Sequence, residues 1–225
     1  MGRLTTATPA LARRLPAPLA AAGLGAVAIA LLLLASLAIS GWPFDWDRSI
    51  MLALHDAGPP WLRRVMTDLT ALGGGTVLTL VVVLVAGLLL ARRLWLTAVL
   101  VVAATWSGGR VVAGLKLLFA RERPDIVDHL VPVTSASFPS GHAANGAVVY
   151  LTLAALATQV IPDRVARRYV VIAALLLVGA IGASRVYLGV HWPSDVMAGW
   201  CFGTLWALAW WWAGARARAS IGGER

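Results

Sequence analysis

Six long apolar stretches constrain the fold of this chain more than any other feature. They are Leu19–Ile39, Thr76–Ala91, Leu94–Phe119, Ala143–Ile161, Val170–Ala183 and Val196–Ala213. About 20 apolar residues cross the hydrocarbon core of a bilayer as a helix, so the shorter second and fifth stretches are expected to extend into their flanks. With 60% hydrophobic and 13% charged residues, the composition disfavours a soluble domain. The sequence predicts an all-α polytopic membrane protein with six transmembrane helices in a single bundle.

The arginines are distributed unevenly over the segments that flank and link these stretches. Eleven of them, with only two carboxylates, lie in residues 1–18, 91–93, 162–168 and 216–225, so that side of the predicted bundle carries the whole net charge of +9. The remaining residues contain eight basic and eight acidic side chains. Cytoplasmic loops are enriched in arginine and lysine, so both termini are predicted to be cytoplasmic. The positive charge therefore orients the protein and does not indicate nucleic-acid binding.

This topology divides the chain into a cytoplasmic tail over residues 1–18, a membrane domain over residues 19–215 and a second cytoplasmic tail over residues 216–225. Ser36-Leu37-Ala38 resembles a signal-peptide cleavage site. The apolar region of about 21 residues is, however, longer than the roughly 7–15 residues of a signal peptide. An uncleaved first span is therefore favoured, with cleavage as the alternative.

Three polar clusters lie at the ends of the apolar stretches, and the predicted topology places all three on the outer side of the membrane. They are Lys116 with Arg123-Pro124, Pro139-Ser140-Gly141-His142, and Ser184-Arg185 with His191 and Asp195. The orientation rests on arginines of the opposite side, so it does not depend on these clusters. Lys116 is the only lysine of the chain.

The spacing of His191 and Asp195 indicates a paired histidine. Pro193 suits the first turn of a helix, and residues four apart at a helix start share one face. The Asp195 carboxylate can then accept a hydrogen bond from one imidazole nitrogen and leave the other neutral and aimed, as in a catalytic triad. Such a histidine is a nucleophile or a base. The alternative is an interfacial histidine that a carboxylate merely caps.

The second cluster directly precedes the fourth apolar stretch and indicates a helix start. Ser140 suits the N-cap position and Gly141 permits close approach of the backbone, so the free N–H groups there can bind an anion. His142 lies beside that anion site and is a candidate general acid. An ordinary helix cap explains the serine and the glycine but not the histidine.

The basic side chains of these clusters indicate a clamp for a group with more than one negative charge. A charge inside a transmembrane helix is costly and usually functional, which applies to Lys116. Pro124 disfavours helix at Arg123, so this guanidinium is expected at the helix end, and Arg185 adds a third cation. Arginine matches phosphate oxygens in a bidentate way, which indicates phosphoryl chemistry. The alternative for Lys116 is a side chain that snorkels to the interface.

The three clusters read, in order, Lys-x6-Arg-Pro at 116–124, Pro-Ser-Gly-His at 139–142 and Ser-Arg-x5-His-x3-Asp at 184–195. Together they resemble the three-part signature of the type-2 phosphatidic acid phosphatase superfamily. The resemblance implies a metal-independent phosphatase without a cofactor, in which His191 attacks phosphorus and forms a phosphohistidine. Asp195 would orient His191, and His142 would protonate the leaving oxygen. The phosphoryl oxygens would be held by Lys116, Arg123, Arg185, Ser140 and the Gly141 backbone.

Several polar residues lie outside this signature. Arg121 is interpreted either as an extension of the cradle toward a diphosphate or as a solvated loop arginine. Four aspartates of the outer loops are interpreted as solvated loop residues, and two histidines there as incidental. They are Asp45, Asp47, Asp125, Asp128, His55 and His129. No carboxylate or histidine cluster in the sequence indicates a dedicated metal site.

The expected function is hydrolysis of a lipid phosphate or diphosphate at the outer leaflet. The Ala/Arg-rich composition suggests a bacterial source, hence an inner or plasma membrane location with the active site on the periplasmic or extracellular face. Candidate substrates from the resemblance are undecaprenyl diphosphate, phosphatidylglycerol phosphate, phosphatidic acid or a lipid A phosphate. The expected partners are this substrate and membrane lipids, and the oligomeric state stays open. The alternatives are a lipid phosphotransferase with the same intermediate, a non-enzymatic anion transporter, and a haloperoxidase, which six spans disfavour.

Overall fold

A computed structural model describes residues 15–220, and every regular element in that range is an α-helix. The helices are α1 (Ala17–Ser40), α2 (Asp45–Leu54), α3 (Pro60–Ala71), α4 (Gly75–Ala91), α5 (Trp95–Phe119), α6 (Gly141–Val160), α7 (Arg164–Tyr187) and α8 (Pro193–Ser220). Most of the first predicted tail, residues 1–14, and the last five residues of the second lie outside the described residues. The prediction of an all-α fold is confirmed for the described part of the chain.

The six apolar stretches correspond to α1, α4, α5, α6, α7 and α8. Where a stretch extends beyond the end of its helix, it does so by one residue. Four helices, α1, α5, α6 and α7, are long and apolar enough to cross a membrane. A fifth span results if α3 and α4, which are bent by 50° at the break between them, are counted as one. Helix α8 has 28 residues but is not among the helices that meet this criterion of length and apolarity.

The fifth stretch extends into its flanks as predicted, and α7 begins after Asp163, whose carboxylate accepts a hydrogen bond from Ala166 N at 2.7 Å. The second stretch gains only Gly75, unless α3 and α4 are counted as one bent span. Helix α4 begins at Gly75, and the Gly73-Gly74 turn separates it from α3. Glycine is conformationally permissive, so the backbone turns at Gly73-Gly74 and α4 does not continue into α3 as one straight helix.

Two shorter helices, α2 and α3, lie in the segment predicted as the outer loop 41–75. Helix α2 buries Asp47 and Met51 on one face, and Met51 packs in a core cluster with Val186 and Trp192. Helix α3 begins at Pro60, a residue that suits the first helical turn. These helices therefore cover the end of the bundle at which α7 ends and α8 begins.

The tightest helix contact joins α6 and α8, and small residues make it possible. A Cβ atom added at Gly203 would lie 2.2 Å from Ala147 Cβ and 2.9 Å from Val148 N, and one added at Gly199 would lie 2.9 Å from Ala144 N. Two glycines four residues apart allow helix backbones to approach this closely in membranes. The contact holds the N-terminal turn of α8 beside that of α6.

Replacing Gly203 with alanine is expected to lower the melting temperature of the purified protein in detergent. The added methyl group meets backbone atoms of α6, so the two helices must separate, and overpacking of this kind costs about 1–3 kcal/mol. Gly87→Ala on α4 is the matched control, because a Cβ atom there has no neighbour within 4 Å. Equal melting temperatures for the two variants would contradict this account of the α6–α8 contact.

Candidate active site

The C-terminal ends of α5 and α7 and the N-terminal ends of α6 and α8 meet at one end of the bundle. Ser140 N donates a hydrogen bond to the Asp195 carbonyl oxygen at 3.0 Å, which joins the second cluster to the third. Arg123 donates through Nη1 to the Val190 carbonyl oxygen, and this joins the first cluster to the third. The structure therefore brings the three predicted clusters together.

His191 and Asp195 are both buried and face each other across the start of α8. The His191 side chain is 2% exposed and that of Asp195 is 0% exposed, and Nδ1 lies 3.5 Å from Oδ2. The same oxygen accepts hydrogen bonds from Ser137 Oγ and from Trp192 N. The imidazole contact is long, as catalytic hydrogen bonds often are without substrate. The pair has the predicted i,i+4 geometry.

The two ring nitrogens of His191 have different surroundings. Nδ1 faces the carboxylate, whereas Nε2 lies 3.3 Å from Arg123 Nη1. We assign the proton to Nδ1, since Nε2 faces a group that only donates. Burial lowers the pKa of His191 to about 3, and Asp195 only partly opposes this effect. The imidazole is therefore neutral at neutral pH, with the lone pair of Nε2 directed at the cationic side chains.

Arg123 and Lys116 are anchored by carbonyl oxygens of the loop that follows α5. Arg123 Nε donates to the Ser135 carbonyl oxygen at 2.8 Å, and Lys116 Nζ donates to that of Ala136 at 2.6 Å. Lys116 also lies close to the start of α6, since its Cε is 3.3 Å from the position of a Cβ atom at Gly141. The lysine thus points toward the site, and a glycine at position 141 leaves space for it.

Arg185 occupies the last turn of α7 and is 3% exposed. Its Nη1 donates to Thr70 Oγ1 of α3 at 2.8 Å, whereas its Nε has no hydrogen-bond partner among the described residues. A buried guanidinium nitrogen without a partner is rare, because an unpaired buried donor costs free energy. Nε is therefore a donor available to an anion in the site.

Ser140 is the N-cap residue of α6, as predicted, but its side chain makes no capping hydrogen bond. The hydroxyl group is buried and has no partner within residues 15–220. The first N–H groups of a helix have no intrahelical acceptor and favour an anion. His142 follows in the first turn of α6 and packs against the glycine turn that precedes α4. A Cβ atom added at Gly73 would lie 3.2 Å from His142 Cβ.

Three polar side chains of the site were missed by the sequence analysis. Ser137 is fully buried and donates to Asp195, and Thr70 accepts from Arg185. Asp47 was interpreted as loop solvation, but it is 0% exposed and forms an ion pair with Arg121. Asp47 and Thr70 lie on α2 and α3, far in sequence from the three clusters. Ser137 lies just before the second cluster but belongs to no spacing pattern.

The interpretation of Arg121 as a solvated loop arginine is wrong. Its side chain is 6% exposed and paired with Asp47 and Asp195. The acidic residues Asp45, Asp125 and Asp128 are exposed, as loop solvation predicts. Within the described part of the chain, no group of three or more His, Cys, Asp or Glu side chains is arranged to hold a metal ion.

Comparison with known proteins places the chain among membrane phosphatases. The model of the PAP2 superfamily matches residues 95–219, which are more than half of the chain and contain all three clusters. Phosphatidylglycerophosphatase B of Bacillus subtilis is 38% identical over 162 residues, covering 71% of this chain and 78% of that protein. An undecaprenyl-diphosphatase of Sulfolobus acidocaldarius is 36% identical over 74 residues, covering 32% of this chain and 30% of that protein.

A solved structure has the same architecture. The first transmembrane PAP2 type phosphatidylglycerolphosphate phosphatase from Bacillus subtilis superposes with a TM-score of 0.74 at 32% identity, covering 84% of this chain and 93% of that one. The apolar helices and this similarity identify an integral membrane protein. The match of the family over most of the bundle, together with the identity to its members, shows that the chain belongs to the PAP2 superfamily.

Proposed function

We propose that this protein is a membrane-embedded phosphatase that hydrolyses a lipid phosphate through a phosphohistidine intermediate on His191. One observation carries the proposal: the unprotonated Nε2 of a buried, neutral histidine lies 3.3 Å from the Arg123 guanidinium. A nucleophilic nitrogen next to a fixed cation is suited to attack a phosphoryl group that the cation binds. The relatives are named as lipid phosphatases, which supports the hydrolysis of a lipid phosphate.

In the first step, the lone pair of Nε2 attacks phosphorus while the bond from phosphorus to the lipid oxygen breaks. The bound phosphoryl anion favours the protonated form of His142, which donates its proton to that leaving oxygen as a general acid. Asp195 stabilises the positive charge that develops on the imidazole through the Nδ1–H group. Lys116, Arg123 and Arg185 neutralise the phosphoryl oxygens, a role that needs no metal ion in this scheme.

In the second step, the neutral His142 accepts a proton from a water molecule, and the resulting hydroxide attacks phosphorus. The bond between phosphorus and Nε2 breaks, and its electron pair returns to His191. Inorganic phosphate leaves, and His142 is again protonated. The buried Ser140 hydroxyl and the N–H groups at the start of α6 would bind the phosphoryl oxygens in both steps.

The preferred substrate class in this proposal is a lipid phosphomonoester. Arg121 is the cation that could meet a second phosphate, and it is committed to ion pairs with Asp47 and Asp195. The clamp then consists of Lys116, Arg123 and Arg185, which matches one phosphoryl group. A phosphatidylglycerol phosphate or a phosphatidic acid fits this clamp better than undecaprenyl diphosphate.

A panel of lipids tests the substrate class on purified protein with a chelator present. Phosphate release is expected from phosphatidylglycerol phosphate and phosphatidic acid, and undecaprenyl diphosphate is expected to react more slowly. Activity on the diphosphate alone would contradict the monoester assignment. An absence of phosphate release from every lipid in the panel would contradict the proposed function itself.

We further propose that α8 is the sixth span, that residues 19–215 form the membrane domain between two cytoplasmic tails, and that the active site faces the periplasm or the cell exterior. The excess of arginine in the links opposite the site supports this orientation. Single cysteines at Glu122 and Arg92 test it in a Cys201→Ala background. Intact cells should label the Glu122→Cys protein with an impermeant maleimide and leave the Arg92→Cys protein unlabelled, and the reverse pattern would contradict the topology.

A further inference from the structure

Arg121 forms the centre of a buried ion-pair network behind His191 and Asp195. Its Nη1 lies 2.6 Å from Asp195 Oδ1, and its Nη2 lies 3.2 Å from Asp47 Oδ2. Nη1 also donates to Ser194 Oγ at 2.8 Å, and the guanidinium lies 4.6 Å from the ring centroid of Trp42. Both terminal nitrogens are therefore engaged by acceptors of the protein, which separates Arg121 from the phosphate clamp.

Asp47 connects this network to the start of α8. Its Oδ1 accepts a hydrogen bond from Ser194 N at 2.8 Å, and its Oδ2 accepts one from Ser194 Oγ at 2.6 Å. The N–H groups of a first helical turn have no intrahelical acceptor, and a carboxylate there is favoured by the helix dipole. Asp47 of α2 thus holds the turn of α8 that bears Asp195.

The Asp195 carboxylate has a defined donor on each oxygen. Arg121 donates to Oδ1, while Ser137 and Trp192 N donate to Oδ2, the oxygen that faces His191. A carboxylate held in this way cannot rotate without breaking a charge-assisted hydrogen bond, which is stronger than a neutral one. The orientation of the imidazole is consequently set by groups beyond Asp195.

We propose that Arg121 and Asp47 are positioning residues, which act through Ser194 and Asp195 to hold His191 in line with the substrate phosphorus. The inference rests on the proposed function, because it concerns the histidine assigned there as the nucleophile. Asp47 lies outside residues 95–219, the part of the chain that the family model matches. Helix α2, on the covering segment of the bundle, is thereby part of the catalytic apparatus.

Steady-state kinetics of five variants test this role, with dioctanoyl phosphatidic acid as the substrate and inorganic phosphate as a competitive inhibitor. Asp47→Asn is expected to lower kcat by about tenfold to a hundredfold, because a misplacement of about 1 Å costs up to about a hundredfold in rate. KM and the inhibition constant of phosphate should change little, since the clamp is untouched. Asp45→Asn, at an exposed position two residues earlier on α2, is the matched control and should leave kcat unchanged.

Ser194→Ala, alone and combined with Asp195→Asn, separates positioning from a purely structural role. Ser194→Ala retains every charge and removes only the hydroxyl bridge between Asp47 and Arg121, so it carries the test if Asp47→Asn does not fold. It is expected to lower kcat severalfold in the parent and to have no further effect in an Asp195→Asn background. Effects of groups that act as one unit are not additive, whereas an independent structural role would give additive losses.

Three results would overturn the inference. These are an unchanged kcat in folded Asp47→Asn or Ser194→Ala, additive losses in the Asp195→Asn background, or a raised phosphate inhibition constant with an unchanged kcat. The last result would instead place the network in the clamp. A failure of the proposed function looks different, because His191→Ala would then keep the parent activity whatever Asp47 does.

Discussion

Replacing His191 with alanine is expected to abolish phosphate release from every lipid that the parent protein hydrolyses. The loss of kcat should reach about 10⁴-fold to 10⁶-fold, as for other nucleophiles that act within a catalytic unit. The physical reason is that Nε2 is the unprotonated nitrogen directed at the Arg123 guanidinium. Phosphate release by purified protein in detergent, normalised to the folded fraction, measures the effect.

The control for this variant is His129→Ala. His129 is exposed in the loop after α5, and its Nε2 lies 2.8 Å from the Pro124 carbonyl oxygen. Loss of that contact should leave turnover close to that of the parent. Substantial activity in His191→Ala would require another nucleophile or direct attack by water, and either outcome would remove the covalent step from the mechanism.

Replacing His142 with alanine is expected to have a large effect that depends on the leaving group. On an alkyl ester such as phosphatidic acid, loss of the general acid should lower kcat by about 10²-fold to 10⁴-fold. On p-nitrophenyl phosphate the first step should be much less affected, because nitrophenolate leaves without a proton. Hydrolysis of the phosphohistidine would still lack its base, so nitrophenol should appear as a rapid burst followed by a slow phase.

Lys116→Gln is the comparison variant for this experiment. Lys116 Nζ lies beside the start of α6, where it is assigned to the phosphoryl oxygens that both substrates share. Its loss should therefore slow both substrates to a similar degree and produce no burst. Equal losses for both substrates in His142→Ala, without a burst, would show that His142 does not transfer the proton to the leaving oxygen.

Much of the fold could be predicted from the sequence because the bilayer requires long apolar helices. The stretch Val170–Ala183 illustrates this, since it lies wholly within α7. The site could be predicted in part for a similar reason. His191 and Asp195 are four residues apart at a helix start, so local geometry is sufficient to bring them together.

The other features of the fold and the site depend on tertiary contacts that no local sequence pattern reveals. Arg121 and Asp47 are 74 residues apart. Asp47 was interpreted as loop solvation, and Arg121 either as a solvated loop arginine or as part of the cradle, because charged loop residues are usually solvated. The Gly199 and Gly203 contact with α6 was missed as well, although its small residues are spaced as in tightly packed membrane helices. Helices α2 and α3 escaped prediction because they are short and amphipathic, unlike the spans.

Rapid quenching of the reaction shows whether the phosphoryl group is transferred to His191. Protein mixed with ³²P-labelled phosphatidic acid is quenched in base within one turnover, digested and analysed by mass spectrometry. A base-stable, acid-labile phosphoryl group is expected on the peptide that contains His191, and it should be absent from His191→Ala. Full turnover without a phosphorylated protein, or a phosphoryl group on a different residue, would contradict the transfer to His191.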